Sequence, residues 1–464
     1  MRERYDFVVI GAGPAGEKAA TQAAYFGKSV AVVEQETPGG AVVRNAGVPN
    51  KTLRETALYL SGFRKRDIYG LSLELSPEVT LERLMGRTTQ VIQARLDAVS
   101  QNLDRHGIRL IRGRASLDED GTVAVSEDGQ TTRLRGEVVL IATGSRPLRP
   151  RAVPFDDPDV HDSENILTMD RLPGSLAVIG GGPVGCEYAS IFAALGVEVA
   201  IVDLAPRLAS FLDVEISEGL AASFRGMGMR LFLGSTGPAS IERRGGRLQV
   251  GLPDGETLPF EKVLFAAGRS GNTEGLGLEA VGVAVDDRGR IVVDETFQTS
   301  VPGIYAAGDV IGPPALASAS MEQGRVAACH AFDIPFKLTV DPLPPMAIYS
   351  IPEAAGTGMT EEDAATAGID YEVGRGYFVN NTRANISGWT DGLVKLVFRA
   401  DDRKLLGVHI LGEIAGELIH VGQAALHAEA DIDRFIHTTY NVPTYTEEYK
   451  YAAYDGLQRL SARG

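Results

Sequence analysis

Three glycines and one acid, spaced so that a diphosphate and a ribose could be held together, occur twice in this chain. Gly11, Gly13 and Gly16 form GxGxxG, and Glu34 follows 34 − 16 = 18 residues after the last of them. Gly180, Gly182 and Gly185 repeat the pattern, with Asp203 at 203 − 185 = 18 residues on. The chemistry implied is dinucleotide binding. Glycines allow a tight turn and close backbone approach, the diphosphate sits on a helix N-terminus, and the acid accepts the ribose hydroxyls. Pro14 and Ala15 complete GAGPAG, Pro183 and Val184 complete GGGPVG, and all four count as binding residues. Two identical spacings point to two bound dinucleotides.

The elements that must position these residues are legible around them. YDFVVI is a continuous apolar run of strand length, the glycines open a helix directly after it, and SVAVVEQ is a second strand ending near Glu34. LAVIGGGPVGCEYASIFAALGVEVAIVD repeats strand, turn, helix, strand. Short apolar strands with glycine-rich ends follow at Val138–Pro147, Val263–Thr273 and Val301–Val310. From about Pro345 the pattern changes to alternating strands such as GLVKLVFRA and LLGVHILG, followed by helices, which predicts a separate α+β domain.

Bulk properties narrow the function. A chain of 464 residues exceeds one hydrophobic core and should form about three units. The formal charge of −16 argues against a nucleic-acid partner, which needs a dense basic footprint. No stretch approaches the ~18 apolar residues of a membrane span, and MRER leads directly into the first strand, so a cytoplasmic location is expected. Cys186 and Cys329 fit neither a CxxC pair nor a metal cluster, and the seven histidines show no ligand spacing, so no metal is expected.

GAGPAG with Glu34, the Ala142, Thr143, Gly144 triplet, GGGPVG, and AGD ending at Asp309 together resemble the flavin-dependent pyridine nucleotide-disulfide oxidoreductase family, which includes dihydrolipoamide dehydrogenase and glutathione reductase. The likeness spans essentially the full chain. It implies an α/β fold with two Rossmann-like dinucleotide-binding domains, the second inserted in the first, plus a C-terminal α+β dimerisation domain. FAD would be held by residues 1–148 and 271–340, NAD(H) or NADP(H) by 149–270, and a homodimer formed through 341–464. It also adds Gly40, Gly268 and Gly308 to the cofactor-binding residues and places Asp309 against the ribityl-phosphate part of FAD.

Disulfide-reducing members carry GG-x-C-x-x-x-x-C-x-P-S-K, whereas this chain reads GGAVVRNAGVPNK, with Val42 and Gly47 at the cysteine positions. The family's HPTxxE reads NVPTYTEE, with Val442 for histidine and Glu447 retained. A thiolate needs a base, and both are replaced together. Ala41 and Asn50 stand for a hydroxyl residue and a serine, which bears on FAD retention. The segments KTLRETALYLSGFRKRDIYG and NVPTYTEEYKYAAYDGLQRL resemble soluble pyridine nucleotide transhydrogenases within the family.

The resemblance makes Lys51 and Glu187 the catalytic candidates, a pair in which Lys51 stabilises negative charge on reduced flavin and Glu187 orients it. The plainer reading is a solvated helix lysine and a first-turn acid. Asp203 favours a free ribose diol over a 2′-phosphate; Arg207 either reaches such a phosphate or is an exposed charge. The expected function is an FAD-dependent NAD(P)H oxidoreductase delivering hydride or electrons to a non-disulfide small-molecule acceptor, transhydrogenase-like. Alternatives are an NADH:quinone or dye reductase, and a catalytically degenerate dinucleotide-sensing or structural flavoprotein.

Overall fold

The computed structural model describes residues 2–62, 81–234, 240–252 and 255–463. Residues 63–70, the end of the first transhydrogenase-like segment, lie outside the described residues. The chain divides into two compact units. One comprises Met1–Thr52, Met85–Leu148 and Gly268–Pro342; the other comprises Leu53–Leu84, Arg149–Ala267 and Leu343–Gly464.

In the first unit, parallel strands lie in the order Arg109–Arg112, Val30–Glu34, Arg2–Ile10, Gln130–Ile141 and Ile304–Ala306. The N-terminal half of Gln130–Ile141 extends beyond them into an antiparallel ladder with Val123–Glu127 and Arg114–Leu117. The continuous apolar runs have a simple cause: both faces of this sheet are covered. Phe7, Val9, Val30, Val32, Val138 and Leu140 join a core with Ala19, Val99 and Val326, which lie on the helices Pro14–Tyr25, Gly86–Arg105 and Ala317–Ala331. Their neighbours Val8, Ile10, Ala31, Val33, Val139 and Ile141 pack with Ala115, Leu117, Val123 and Val125 of the ladder. Alternation is present, but it separates two apolar layers rather than core from water.

The second unit repeats the arrangement. Its parallel strands run Arg230–Phe232, Glu198–Val202, Ser175–Ile179, Lys262–Phe265 and Val160–Asp162, with a separate ladder of Ile241–Arg244, Arg247–Gly251 and Thr257–Phe260. The glycine-turn strand is central in both sheets. The C-terminal residues build an antiparallel sheet in the order Met346–Ile348, Glu353–Gly358, Leu405–Gly412, Leu393–Arg399 and Tyr371–Tyr377. Val394, Leu396 and Phe398 pack with Leu418, Tyr449 and Ala453 from the helices Ala415–His427 and Glu448–Ser461.

Lys395 alternates with those apolar residues and is 1% exposed. Its ammonium donates to Asp213 Oδ1 at 2.9 Å and Glu361 Oε2 at 2.6 Å, and Glu215 Oε2 lies at 3.2 Å. Arg375 also donates to Glu215, at 2.8 Å. Asp213 in turn caps the helix Val214–Gly226 by accepting from the Glu215 amide. The C-terminal sheet and the helix Val214–Gly226 thus share one charge cluster around the buried Lys395 ammonium. Another buried cation, Arg54, donates to the Ser350 carbonyl at 3.0 Å and lies 3.2 Å from Glu353, both within the second unit.

Two consequences can be measured. Lys395→Met should cost about 3–5 kcal/mol by leaving Asp213 buried without its cation, a loss read as a lowered denaturation midpoint. Burial pushes the carboxyls of Glu353 and Glu448 up to about 7, from 4.5. A raised folded value gives stability that is full below about pH 4.5 and lost as pH rises through about 7. The melting temperature should therefore fall between about pH 5 and about pH 8, and less steeply in Glu353→Gln or Glu448→Gln.

Candidate functional site

The first glycine turn is built by the chain's own crowding. Gly11 has φ +105°, and a Cβ there would sit 2.4 Å from the Ala142 carbonyl oxygen. A Cβ on Gly16 would lie 1.9 Å from the Gly11 oxygen, so the helix can approach the strand only without one. Gly13 is different: its nearest neighbour to such an atom is Gly40 Cα at 3.9 Å, an ordinary contact. No protein group demands glycine there, which leaves the position open to a ligand diphosphate. Gly13 is also the N-cap of Pro14–Tyr25 and supplies no side-chain capping bond, so the first-turn amides around Ala15 are open at the positive end of the helix. These features fit the diphosphate of FAD.

Glu34 closes this turn. Its Oε2 accepts from the Ala12 amide at 2.8 Å and its Oε1 from the Glu36 amide at 2.9 Å. Burial pushes its carboxyl above the ordinary range, against the pull of the Ala12 amide and Arg44. Gly40 lies alongside, where a Cβ would be 2.9 Å from Gly13 Cα.

The second turn has the same construction. A Cβ on Gly180, φ +111°, would meet the Ala266 oxygen at 2.7 Å, and one on Gly185 would meet the Gly180 oxygen at 1.9 Å. One on Gly182 meets nothing within 4 Å. Gly182 caps Pro183–Ala194 without a side-chain bond, leaving the first-turn amides around Val184 open. Asp203 accepts from the Gly181 amide at 2.5 Å and the Ala205 amide at 3.0 Å, matching the pair of bonds made by Glu34. Arg207 makes a two-point bond to Glu362, at 3.0 and 2.6 Å, and donates to the Ser210 carbonyl at 3.1 Å. It is a paired charge on this loop.

Asp309 begins the short helix Asp309–Ile311, which is capped by Gly308. Its carboxylate accepts from Ser145 Oγ at 2.9 Å and from Ser320 Oγ at 3.4 Å, and Ser145 Oγ in turn accepts from Arg269 Nε at 2.7 Å. The Gly308 amide donates to Gln323 Oε1 at 2.9 Å. Ala142 takes up the strand ladder through its amide to the Ile10 carbonyl at 2.8 Å. Thr143 Oγ1 donates to the Asn272 carbonyl at 2.7 Å, and the Gly144 carbonyl accepts from the Asn272 amide. Gly268 accepts from the Leu148 amide at 3.0 Å. Arg269, Ser145 and Asn272 were not singled out by sequence, because none lies in a fingerprint.

Val42 and Gly47 are brought together. Val42–Ala46 forms one π-helical turn ahead of the helix Val48–Ser61, and the Gly47 amide donates to the Val42 carbonyl at 3.1 Å. A Cβ on Gly47 would lie 2.8 Å from a Val42 methyl. Lys51 lies one turn on, its amide bonded to the Gly47 carbonyl at 3.3 Å. Glu187 is not a solvated first-turn acid: it is buried, five residues into its helix, and its carboxylate accepts from the Tyr349 amide at 3.0 Å. Cys186 and Cys329 are free thiols buried in different units, and burial pushes both upward, Cys186 furthest. Among the described residues no group of three His, Cys, Asp or Glu is placed to hold a metal ion, and no helix is long and apolar enough to cross a membrane.

Residues 5–324 match the family described as pyridine nucleotide-disulphide oxidoreductase, and residues 344–453 match its dimerisation domain. A soluble pyridine nucleotide transhydrogenase of Mycobacterium bovis (strain BCG Pasteur) is 42% identical, covering 100% of this chain and 99% of its own. One from a Marinomonas species is 37% identical over 98% and 99%. Among solved structures, the HOCl-induced flavoprotein disulfide reductase RclA of Escherichia coli, as its Cu(II) complex, aligns with TM-score 0.88 at 26% identity, covering 98% and 99%. LpdA of Mycobacterium tuberculosis aligns with TM-score 0.87 at 28% identity, covering 97% and 99%. The chain therefore belongs to the pyridine nucleotide-disulphide oxidoreductase family, flavoenzymes that use FAD and NAD(P)H.

Proposed function

We propose that this chain moves hydride from a reduced nicotinamide to FAD and on to an acceptor that is not a disulfide, the acceptor being a second pyridine nucleotide. The observation that carries this reading is the pairing of Val42 with Gly47. The two positions at which relatives could form a dithiol are joined here by a backbone bond from the Gly47 amide to the Val42 carbonyl at 3.1 Å, and neither residue carries sulfur. The only two cysteines are buried within helices, and their thiols are held protonated by that burial. The transhydrogenases similar over the full chain support the choice of acceptor.

Bound FAD supplies reversible hydride acceptance. In this reading the glycine turns at 11–16 and 180–185 hold the two diphosphates, while Glu34 and Asp203 accept the ribose hydroxyls. Lys51 places positive charge where reduction builds negative charge, and Glu187 is the acid that serves that step from the inserted segment. Asp309, held by Ser145 and Ser320, would bond the ribityl-phosphate region. The domain limits proposed are 1–148 with 271–340 for FAD, 149–270 for NAD(P) and 341–464 for a homodimer contact, a cytoplasmic protein being the setting. A second reading, NADH:quinone or dye reductase, is favoured by Asp203 and by the engagement of Arg207 with Glu362, since both disfavour NADPH.

An anaerobic absorbance titration of the FAD-loaded protein with NADH, and separately NADPH, followed by thio-NAD or a quinone, separates these outcomes. Bleaching and reoxidation by thio-NAD is the expected result; reoxidation by quinone alone selects the second reading, and no bleaching by either nucleotide rejects both. Lys51→Met should slow flavin reduction by NADH roughly 10²-fold in stopped flow, and unchanged bleaching would remove Lys51 from the step.

A further inference from the structure

The loop after Asp203 is closed on itself at Gly181. The Gly181 amide donates to Asp203 Oδ2 at 2.5 Å, and the Gly181 carbonyl accepts from the Ala209 amide at 2.8 Å. Both ends of residues 203–209 are therefore pinned to the second glycine turn, and Arg207 sits two residues from the second pin. A planar guanidinium on that loop is the side chain suited to a phosphate on the ribose that Asp203 would hold. Its two terminal nitrogens are instead engaged by both carboxylate oxygens of Glu362, while its Nε is buried without a hydrogen-bond partner among the described residues.

Glu362 is itself placed by its neighbours. Thr360 and Asp363 form a capping box around it, and Glu361 is bound to Lys395 at 2.6 Å while its amide donates to Asp213 at 3.2 Å. Asp213 and Glu218 add further negative charge around Arg207. A dianionic 2′-phosphate would have to displace one carboxylate and approach others.

We propose that Glu362, a residue of the C-terminal segment, is a specificity determinant that selects NAD(H) over NADP(H) by occupying Arg207, the latent receptor for a 2′-phosphate. The proposal rests on reading the inserted segment as the nicotinamide nucleotide site. In a transhydrogenase, each NADP(H) encounter would require Arg207 to exchange Glu362 for the phosphate.

Calorimetric binding to the full-length, FAD-loaded protein tests this without any hydride chemistry, using adenosine 2′,5′-bisphosphate and 5′-AMP. Glu362→Gln should tighten the bisphosphate on the order of tenfold and leave 5′-AMP unchanged, and adding Arg207→Met should abolish the gain. Unchanged bisphosphate affinity in a Glu362→Gln protein that melts like the parent would overturn the proposal, as would a gain that survives Arg207→Met. If the parent binds neither ligand, the nucleotide-site reading itself falls; if 5′-AMP binds normally and only the Glu362→Gln gain is absent, that reading stands and the selector role alone is lost.

Discussion

Where the helix Pro14–Tyr25 leaves the strand Arg2–Ile10, the Gly11 carbonyl lies so close to Gly16 that a Cβ would fall 1.9 Å from its oxygen, and the same separation recurs between Gly180 and Gly185. That steric limit is what everything else at the two sites depends on. It lets each helix start directly over its strand, so the first-turn amides face outward from the sheet end and the partial positive charge of the helix is concentrated there. The acid of the second strand can then reach back to the turn and accept a backbone amide with one oxygen, while the other accepts the amide two residues further along the chain. A methyl group at either glycine would open the angle between strand and helix and uncouple these parts together.

The local part of this arrangement was legible in sequence because it is local. Glycine spacing, helix start and acid lie within a few tens of residues, and each has one geometric reason to be there. The two sheets were legible for the same reason: a continuous apolar run such as YDFVVI requires cover on both faces, and the structure supplies helices on one side and an antiparallel ladder on the other. The ladder strands themselves left little trace, since RLRGE and IERR have charged faces that resemble loops.

What sequence could not disclose were pairings over long separations. Ser145 meets Asp309 across 164 residues, Lys395 meets Asp213 across 182, and Arg54 meets Ser350 across 296. No periodicity or spacing rule connects such residues; only the closed fold does. Arg207 illustrates the point from the other side. As a residue it was either a phosphate ligand or an exposed charge, and its bonding was settled by a glutamate 155 positions away. Glu187 likewise changed character, from a helix-start acid to a buried acceptor for the Tyr349 amide.

The Lys395 cluster bears on how far the chain can be treated as interchangeable parts. By its repeat of strand, turn, helix and strand, the inserted segment looks portable, a cassette that recombination could exchange among flavoproteins. Asp213 contradicts that. It is fully buried, it caps a helix of the cassette, and its cation comes from a sheet almost two hundred positions later. A transplanted cassette would carry a sequestered carboxylate with no counter-charge, and the donor chain would keep an ammonium ion short of acceptors. Successful shuffling within this architecture must therefore move the inserted and C-terminal segments as a pair, and their charges are expected to drift together over evolutionary time.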